Sequence, residues 1–302
     1  MKNNSLPTHP GVGVIALSGC ALDNVAVERG LDVLREWGFL VHNFYQHEHL
    51  YQRFGGSDEA RLQQLNAAID HPDVHIVMAL RGSYGISRLL HKIDYARLAA
   101  SGKYFVGYSD FNALQLALLA KTGASSFCGP VVCDDFSRED LSAFALEHFF
   151  TCIGNDQCCI EFEAANNPEV DVLGQLWGGN LAMLTHLLGT EFFPQISDGI
   201  LFVEDVAEHP YRVERMMLQL HLAGVLNRQK AIVFGDFSAY KLAPFDNGYD
   251  FNEMIRYLRN TLSIPVVTGL PFGHVRDKAT LVIGSSAHLK STGDAISLHM
   301  QY

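Results

Sequence analysis

Residues 12–122 alternate strand-length apolar runs with segments of helical period, and this alternation is the tightest constraint on the fold. Residues 12–17 read as a strand closed by the small-residue turn Ser18-Gly19. Residues 22–37 read as a helix, because Val27, Leu31, Leu34 and Trp37 fall on one stripe and Gly38 can cap its end. A strand over 39–44, a helix over 57–69 with Ser57 as N-cap, and a strong strand over 74–80 follow. A helix reaching to about Ala100, a strand over 104–108 and a helix over 110–122 complete the series. Such spacing predicts a parallel sheet with helices on both faces, an α/β domain of the flavodoxin or glutamine-amidotransferase type.

The pattern loosens after about residue 150. Residues 157–174 are strand-like with polar breaks, 181–188 form a short helix, 200–206 a strand and 210–223 a helix with Pro210 early in it. Further strands are expected over 231–237, 264–268 and 280–283. We therefore expect an N-terminal α/β domain over 1–155, a linker over 156–169 and a β-rich C-terminal domain over 170–302. Turn chemistry at Gly154-Asn155-Asp156 and Ala165-Asn166-Asn167-Pro168 marks the junction.

A chain of 302 residues can bury a full core without staples, and its net charge of −11 argues against a nucleic-acid partner, although a local basic pocket is compatible with that average. The start, Met-Lys-Asn-Asn-Ser-Leu-Pro, carries no apolar segment behind its one cation, and no apolar run is long enough for a membrane helix, so a cytoplasmic location is expected. Six cysteines, at 20, 128, 133, 152, 158 and 159, include no CxxC pair. They are expected to be free thiols acting as small core hydrophobes, and neither a metal nor a cofactor is expected.

Chemistry is suggested first by Gly107-Tyr108-Ser109-Asp110-Phe111, where a strand gives way to a helix within two residues of Ser109. A serine at such a turn lifts its hydroxyl above the sheet edge, and the helix amides face an oxyanion beside it. Only half of the G-x-S-x-G pattern is present, and Ser109 could equally cap the helix. A base is offered by His274, on the loop Leu270-Pro271-Phe272-Gly273 after a strand; His71, His75, His91, His209 and His299 have weaker contexts. Glu204 or Asp205, ending the apolar run from Leu201, could orient it. Arg81-Gly82-Ser83-Tyr84-Gly85 follows a strand of the first sheet, where Arg81 could pair a substrate carboxylate. Trp177-Gly178-Gly179-Asn180 opens a helix, with Asn180 as a possible cap.

These segments, with Ser87-Arg88-Leu89-Leu90, Glu204-Asp205 and Phe272-Gly273-His274, occur in the order seen in the L,D-carboxypeptidases, and the chain resembles that family from about residue 12 to about 285. The resemblance implies a Ser109–His274–Glu204 triad, with the serine from the N-terminal domain and the other two from the C-terminal one. It implies an oxyanion hole from the backbone amides of Asp110 and Ser83, and substrate contacts from Arg81, Tyr84, Trp177 and Asn180. The implied reaction cleaves meso-diaminopimelate from the terminal D-alanine of muropeptide tetrapeptides in peptidoglycan recycling, by a homodimer without metal. A peptidase acting on peptidyl-nucleotides, similar to the microcin C resistance proteins, and a muropeptide-binding protein without turnover are the alternatives. Ser83 stands where the family usually has glycine, so the geometry of that loop is the open point.

Overall fold

The computed structural model describes residues 6–302; Met1–Ser5, and with them most of the polar start considered above, lie outside the described residues. The first half runs β1 (Gly11–Ile15), α1 (Asn24–Glu36), β2 (Leu40–Asn43), α2 (Asp58–Asp70), β3 (Val74–Ala79), α3 (Tyr95–Ala100), β4 (Tyr104–Gly107), α4 (Asn112–Thr122), β5 (Ser126–Cys128) and α5 (Ala143–Gly154). The second runs β6 (Gln157–Glu163), β7 (Glu169–Asn180), α6 (Leu181–Leu187), β8 (Ile200–Val206), α7 (Pro210–Leu222), β9 (Ala231–Ser238), α8 (Phe251–Thr261), β10 (Val266–Thr268), β11 (Leu281–Ile283), β12 (Ser286–Thr292) and β13 (Ala295–Gln301).

The expected α/β architecture is present. Strands β2-β1-β3-β4-β5 lie side by side and all run parallel. This 2-1-3-4-5 order is the flavodoxin-like one. The caps form as their side chains dictate: Ser57 Oγ accepts from Ala60 N at 3.2 Å, and Asn180 Oδ1 accepts from Met183 N at 3.2 Å. The helix expected to reach Ala100 is broken. Ile93 is extended, and the Asp94 side chain accepts from Arg97 N at 3.0 Å, so a new helix starts there.

The second sheet has the order β10-β9-β8-β7-β12-β13-β6, parallel from β10 to β7 and antiparallel from β7 to β6. The stretch 156–169 is more than a connection, because β6 pairs with β13 from Gln157 to Glu163. The polar-apolar alternation there satisfies an edge strand that buries one face. Helix α4 is buried from Asn112 to Leu119 and packs against β7 and α6 as well as against β5 and β11 of its own sheet. An all-round apolar sequence such as Leu114-Gln115-Leu116-Ala117-Leu118-Leu119 suits a helix enclosed between layers.

Strand β11, though late in the chain, joins the first sheet antiparallel to β5. The residues before it are fastened to the first half as well. Ser142 Oγ donates to Asp277 Oδ1 at 2.6 Å, and Lys278 Nζ pairs with Asp135 where both are buried. Lys278 also lies 4.4 Å from the Tyr108 ring centroid. Burial pushes the Asp135 carboxyl up, against the pull of the Lys278 ammonium. Replacing Lys278 by Met leaves Asp135 buried without its counter-ion. We expect Lys278→Met to cost about 3–5 kcal/mol at neutral pH in urea unfolding. The deficit should shrink as pH falls toward about 4, where the unfolded carboxyl also binds a proton. A pH-independent deficit would contradict this account.

Candidate active site

Ser109 sits between the end of β4 and the start of α4 with φ +63°, a left-handed conformation for a residue with a β-carbon. Such backbone costs about 1–3 kcal/mol and persists where the surroundings fix it. The Asp110 side chain supplies the fixing. Its Oδ2 accepts from Ser18 Oγ at 2.6 Å and from Ile86 N at 3.0 Å, tying the turn to the ends of β1 and of the loop after β3. Burial raises the Asp110 carboxyl, while these two hydrogen bonds oppose the shift. Phe111, in place of a second elbow glycine, is a buried core residue.

The loop after β3 presses on the nucleophile: a β-carbon at Gly82 would lie 2.7 Å from Ser109 Oγ. Ser83 next to it has φ +87°, so this position does demand the conformation that glycine adopts freely. Ser83 holds it with its side chain, whose Oγ accepts from Arg53 Nη2 at 2.7 Å. Gly19 N donates to Gly82 O at 3.0 Å from the other side.

His274 reaches the same point from the second half. Its loop is zipped to β9 by Leu270 N to Phe234 O at 3.2 Å and Asp236 N to Phe272 O at 2.7 Å. The imidazole packs edge-on to Tyr108, with ring centroids 5.0 Å apart. Its Nδ1 lies 2.7 Å from Glu204 Oε2 and its Nε2 lies 3.1 Å from Ser109 Oγ. A carboxylate only accepts, so Nδ1 carries the proton and Nε2 is free to accept from the Ser109 hydroxyl. Burial disfavours the imidazolium, but the Glu204 hydrogen bond and charge outweigh it and the net His274 shift is upward.

Glu204 is fully buried on β8. The parallel register of β7 and β8 places Asn180 directly beside it. Asn180 Nδ2 donates to Glu204 Oε1 at 3.1 Å and to Asp205 Oδ1 at 3.0 Å, while Asn180 N donates to Asn112 Oδ1 at 3.0 Å. Asn180, through its side-chain and backbone amides, thus connects the buried acid to the helix that follows the serine. Between Glu204 and Asp205, it is Glu204 that meets the histidine. Asp205 instead accepts from Ala182 N and Val206 N, both at 2.9 Å, and its carboxyl is pushed up to about 6 by burial and then by the Glu204 charge.

A cleft of about 420 Å³ opens over Ser109 and His274, bordered by Arg81, Ser83, Asp134, Arg138, Val206 and Lys278 among others. Arg81 donates through Nη1 to Cys20 O at 3.2 Å, and its Nε is buried with no hydrogen-bond partner among the described residues. Asp134, Arg138 and Lys278 were not singled out from sequence. They come from the turn after β5 and from the segment before β11, and no local pattern marks them as neighbours. Tyr84 stands on the outer side of its loop, 39% exposed, near Phe54 and Arg53.

Two of the expected substrate contacts, Trp177 and Asn180, do not border this cleft. Trp177 is fully buried, and its indole Nε1 donates to Gln229 Oε1 at 2.9 Å. Asn180 is buried against the two carboxylates rather than turned to the cleft. The glycines between them serve close backbone packing: β-carbons at Gly178 and Gly179 would lie 1.9 Å from Phe202 O and 2.5 Å from Asn112 Cγ. We therefore expect Trp177→Phe, which strands the Gln229 carbonyl, to lower stability by about 1–3 kcal/mol in urea unfolding. KM should stay within about twofold, a free-energy change of only about 0.4 kcal/mol; a large KM increase at unchanged stability would make Trp177 a ligand contact.

Comparison with known proteins places this geometry. Residues 12–129 match the sequence profile of the LD-carboxypeptidase N-terminal domain, and residues 173–289 that of the LD-carboxypeptidase C-terminal domain. A putative carboxypeptidase of Synechocystis is 34% identical over 97% of this chain and 95% of its own length. The microcin C7 self-immunity protein MccF of Escherichia coli is 28% identical over 91% of this chain and 88% of its own. The crystal structure of muramoyltetrapeptide carboxypeptidase from Oxalobacter formigenes superposes with a TM-score of 0.93 at 51% identity, covering 97% of this chain and 99% of that one. Profiles on both halves and a relative above 30% identity along nearly the whole chain make the assignment: the protein belongs to the LD-carboxypeptidase family.

Proposed function

We propose that this carboxypeptidase is a serine enzyme that cuts the bond between meso-diaminopimelate and the terminal D-alanine of muropeptide tetrapeptides, in the cytoplasmic recycling of peptidoglycan. The observation that carries the serine mechanism is the alignment of Ser109 Oγ, His274 and buried Glu204, at 3.1 Å and 2.7 Å, at the floor of the cleft. The substrate class rests on the 51% identical muramoyltetrapeptide carboxypeptidase. The cleft adds Arg81, while its other cations are engaged, Arg138 with Asp140 and Lys278 with Asp135. The orphaned Nε of Arg81 suits the carboxylate that a carboxypeptidase must read.

In the reaction, His274 Nε2 takes the Ser109 proton as the oxygen attacks the scissile carbonyl. The imidazolium that forms is held by Glu204, whose second oxygen is kept in place by Asn180. The Asp110 amide, with the Ser83 amide as second donor, stabilises the oxyanion, a contribution of about 2.7–4 kcal/mol per donor in other acyl-transfer sites. His274 then returns the proton to the departing D-alanine amine, and water cleaves the acyl-enzyme by the same base.

Product analysis by mass spectrometry on purified tetrapeptide identifies the bond cut, and a peptidyl-nucleotide assayed in parallel separates this reading from a self-immunity-type peptidase. Ser109→Ala should lower kcat by about ten-thousand-fold or more, with EDTA leaving the wild type active. Retained turnover in Ser109→Ala, or complete loss on chelation, refutes the mechanism.

The histidine gives a pH prediction. His274 must be neutral to act as base, and its raised value puts the acid limb of kcat/KM above the ordinary imidazole range of about 6.5. Glu204→Gln removes what holds the value up, so the limb should move to lower pH while the plateau falls. The same upward shift contributes folded-state stability that is complete below about pH 6.5 and fades as pH rises through the folded value. A limb unmoved in Glu204→Gln would mean that another group is the base.

A further inference from the structure

Outside the cleft, the most concentrated reactive chemistry is where α5 gives way to β6. Cys152, in the last turn of α5, and Cys158, in β6, bring their sulfurs to 2.7 Å. Non-bonded heavy atoms rest at about 3.5–4.0 Å, and a disulfide bond is about 2.05 Å long. The two buried sulfurs therefore lie well inside ordinary contact. His148 Nδ1 lies 3.4 Å from Cys152 Sγ, Thr280 O lies 3.5 Å from it, and Tyr302 Oη donates to Cys152 O. Cys158 faces Met300 across the β6–β13 ladder.

These three side chains, His148, Cys152 and Cys158, also have the proximity of a metal site. The imidazole argues against that use. Its Nδ1, the nitrogen beside the thiols, already accepts from Thr280 N at 3.1 Å, so a metal would leave that buried amide unpaired. Joining the sulfurs, in contrast, leaves that bond in place and gives up only the thiol contacts of Cys152 with Cys158, His148 Nδ1 and Thr280 O.

We propose that Cys152 and Cys158 are a redox modification site, a dithiol that hydroperoxides convert to an intramolecular disulfide. Cys158 reacts first. Cys158 keeps 7% of its surface exposed, whereas Cys152 has none, so peroxide from solvent meets Cys158 before Cys152. The Cys152 S–H donates to Cys158 Sγ and lowers its thiol below the usual value, against the effect of burial. The Cys158 thiolate attacks hydrogen peroxide, breaking the O–O bond to give a sulfenic acid and, with one proton, water. Cys152 sulfur then attacks the sulfenic sulfur. The S–S bond forms, hydroxide leaves, and the Cys152 proton makes it a second water. The pair loses two hydrogens and the peroxide is reduced.

The new bond would tie the end of α5 to edge strand β6 where the chain passes from the first sheet to the second. It lies apart from Ser109, Glu204 and His274, so it requires no change in activity.

The test uses the full chain. Protein treated with hydrogen peroxide is denatured, alkylated and weighed, then digested without reductant. The expected result is four alkylated thiols of the six, a Cys152–Cys158 cross-linked peptide, recovery of all six after dithiothreitol, and a raised thermal midpoint for the oxidised form. Cys152→Ser and Cys158→Ser should each abolish that cross-link. Six alkylated thiols after oxidation, or a cross-link joining other cysteines, overturns the proposal. So does one equivalent of zinc retained by the reduced wild type and lost in both serine variants. The wild-type measurement decides the matter even if a variant fails to fold.

Discussion

The site depends on one buried carboxylate. Glu204 lies fully buried near the end of an apolar strand, and a charge in that position is tolerated only with partners on both oxygens. One partner is His274 and the other is Asn180. Satisfying this single group brings together the end of β8, the end of β7 and the loop after β10. Because Asn180 N also binds the Asn112 side chain, α4 and the serine turn are drawn into the same arrangement. Asp205 shows the electrostatic consequence. Two adjacent buried carboxylates repel, and Asp205 has its carboxyl displaced to about 6 by burial and by that neighbouring charge. Three N–H groups aimed at Asp205 keep its charged form accessible nonetheless.

Strain is concentrated on the opposite side of the cleft. Ser109 and Ser83 are both non-glycine residues at positive φ, and they touch through Gly82. Each is held by a side-chain bond from elsewhere, the first through Asp110 to Ser18 and Ile86, the second through Arg53. The nucleophile and the amides beside it are thus fixed from the segments that follow β1, β2 and β3. Fixing donors before the reaction begins is what makes oxyanion stabilisation effective, since nothing has to reorganise as charge develops.

Strands β1 to β4 of the first sheet were legible from residues alone, because an apolar run reads as a strand and its crossover helix as a stripe, whereas three-residue β5 was missed and β11 was assigned to the C-terminal half. The second sheet was less legible. Strands β12 and β13 alternate cleanly about Gly293-Asp294, and α8 has a sharp amphipathic stripe, yet neither was picked out among short polar segments. Edge strand β6 read as strand-like with polar breaks, yet its residues were assigned to the linker. Local pattern left Ser109 as nucleophile or cap and did not choose between Glu204 and Asp205. The ordered resemblance to the family proposed the choice, and the geometry places that trio in contact. Trp177 and Asn180 show the limit of motif reading. A Gly-Gly pair looks the same in sequence whether it admits a ligand or a neighbouring strand, and only the packing against Phe202 and Asn112 tells them apart.

The two sheets obey one rule twice. In open parallel sheets ligands gather at the carboxyl ends of strands. Here β3 leads to Arg81–Gly85 and β4 to Ser109, while β7 ends in Asn180, β8 carries Glu204 near its end and β10 leads toward His274. Such a face-to-face arrangement works only if the sheets cannot slide, since a shift of about 1 Å costs on the order of a hundredfold in rate. The segment carrying His274 meets that requirement. It leaves β10 on the second sheet and enters β11 on the first, and on the way it is fastened by Asp277 to Ser142 and by Lys278 to Asp135. Lys278 presses on Tyr108, and Tyr108 packs on the imidazole. The base is therefore carried by a stretch of chain fastened to both sheets, so its distance to the serine is set by that joint.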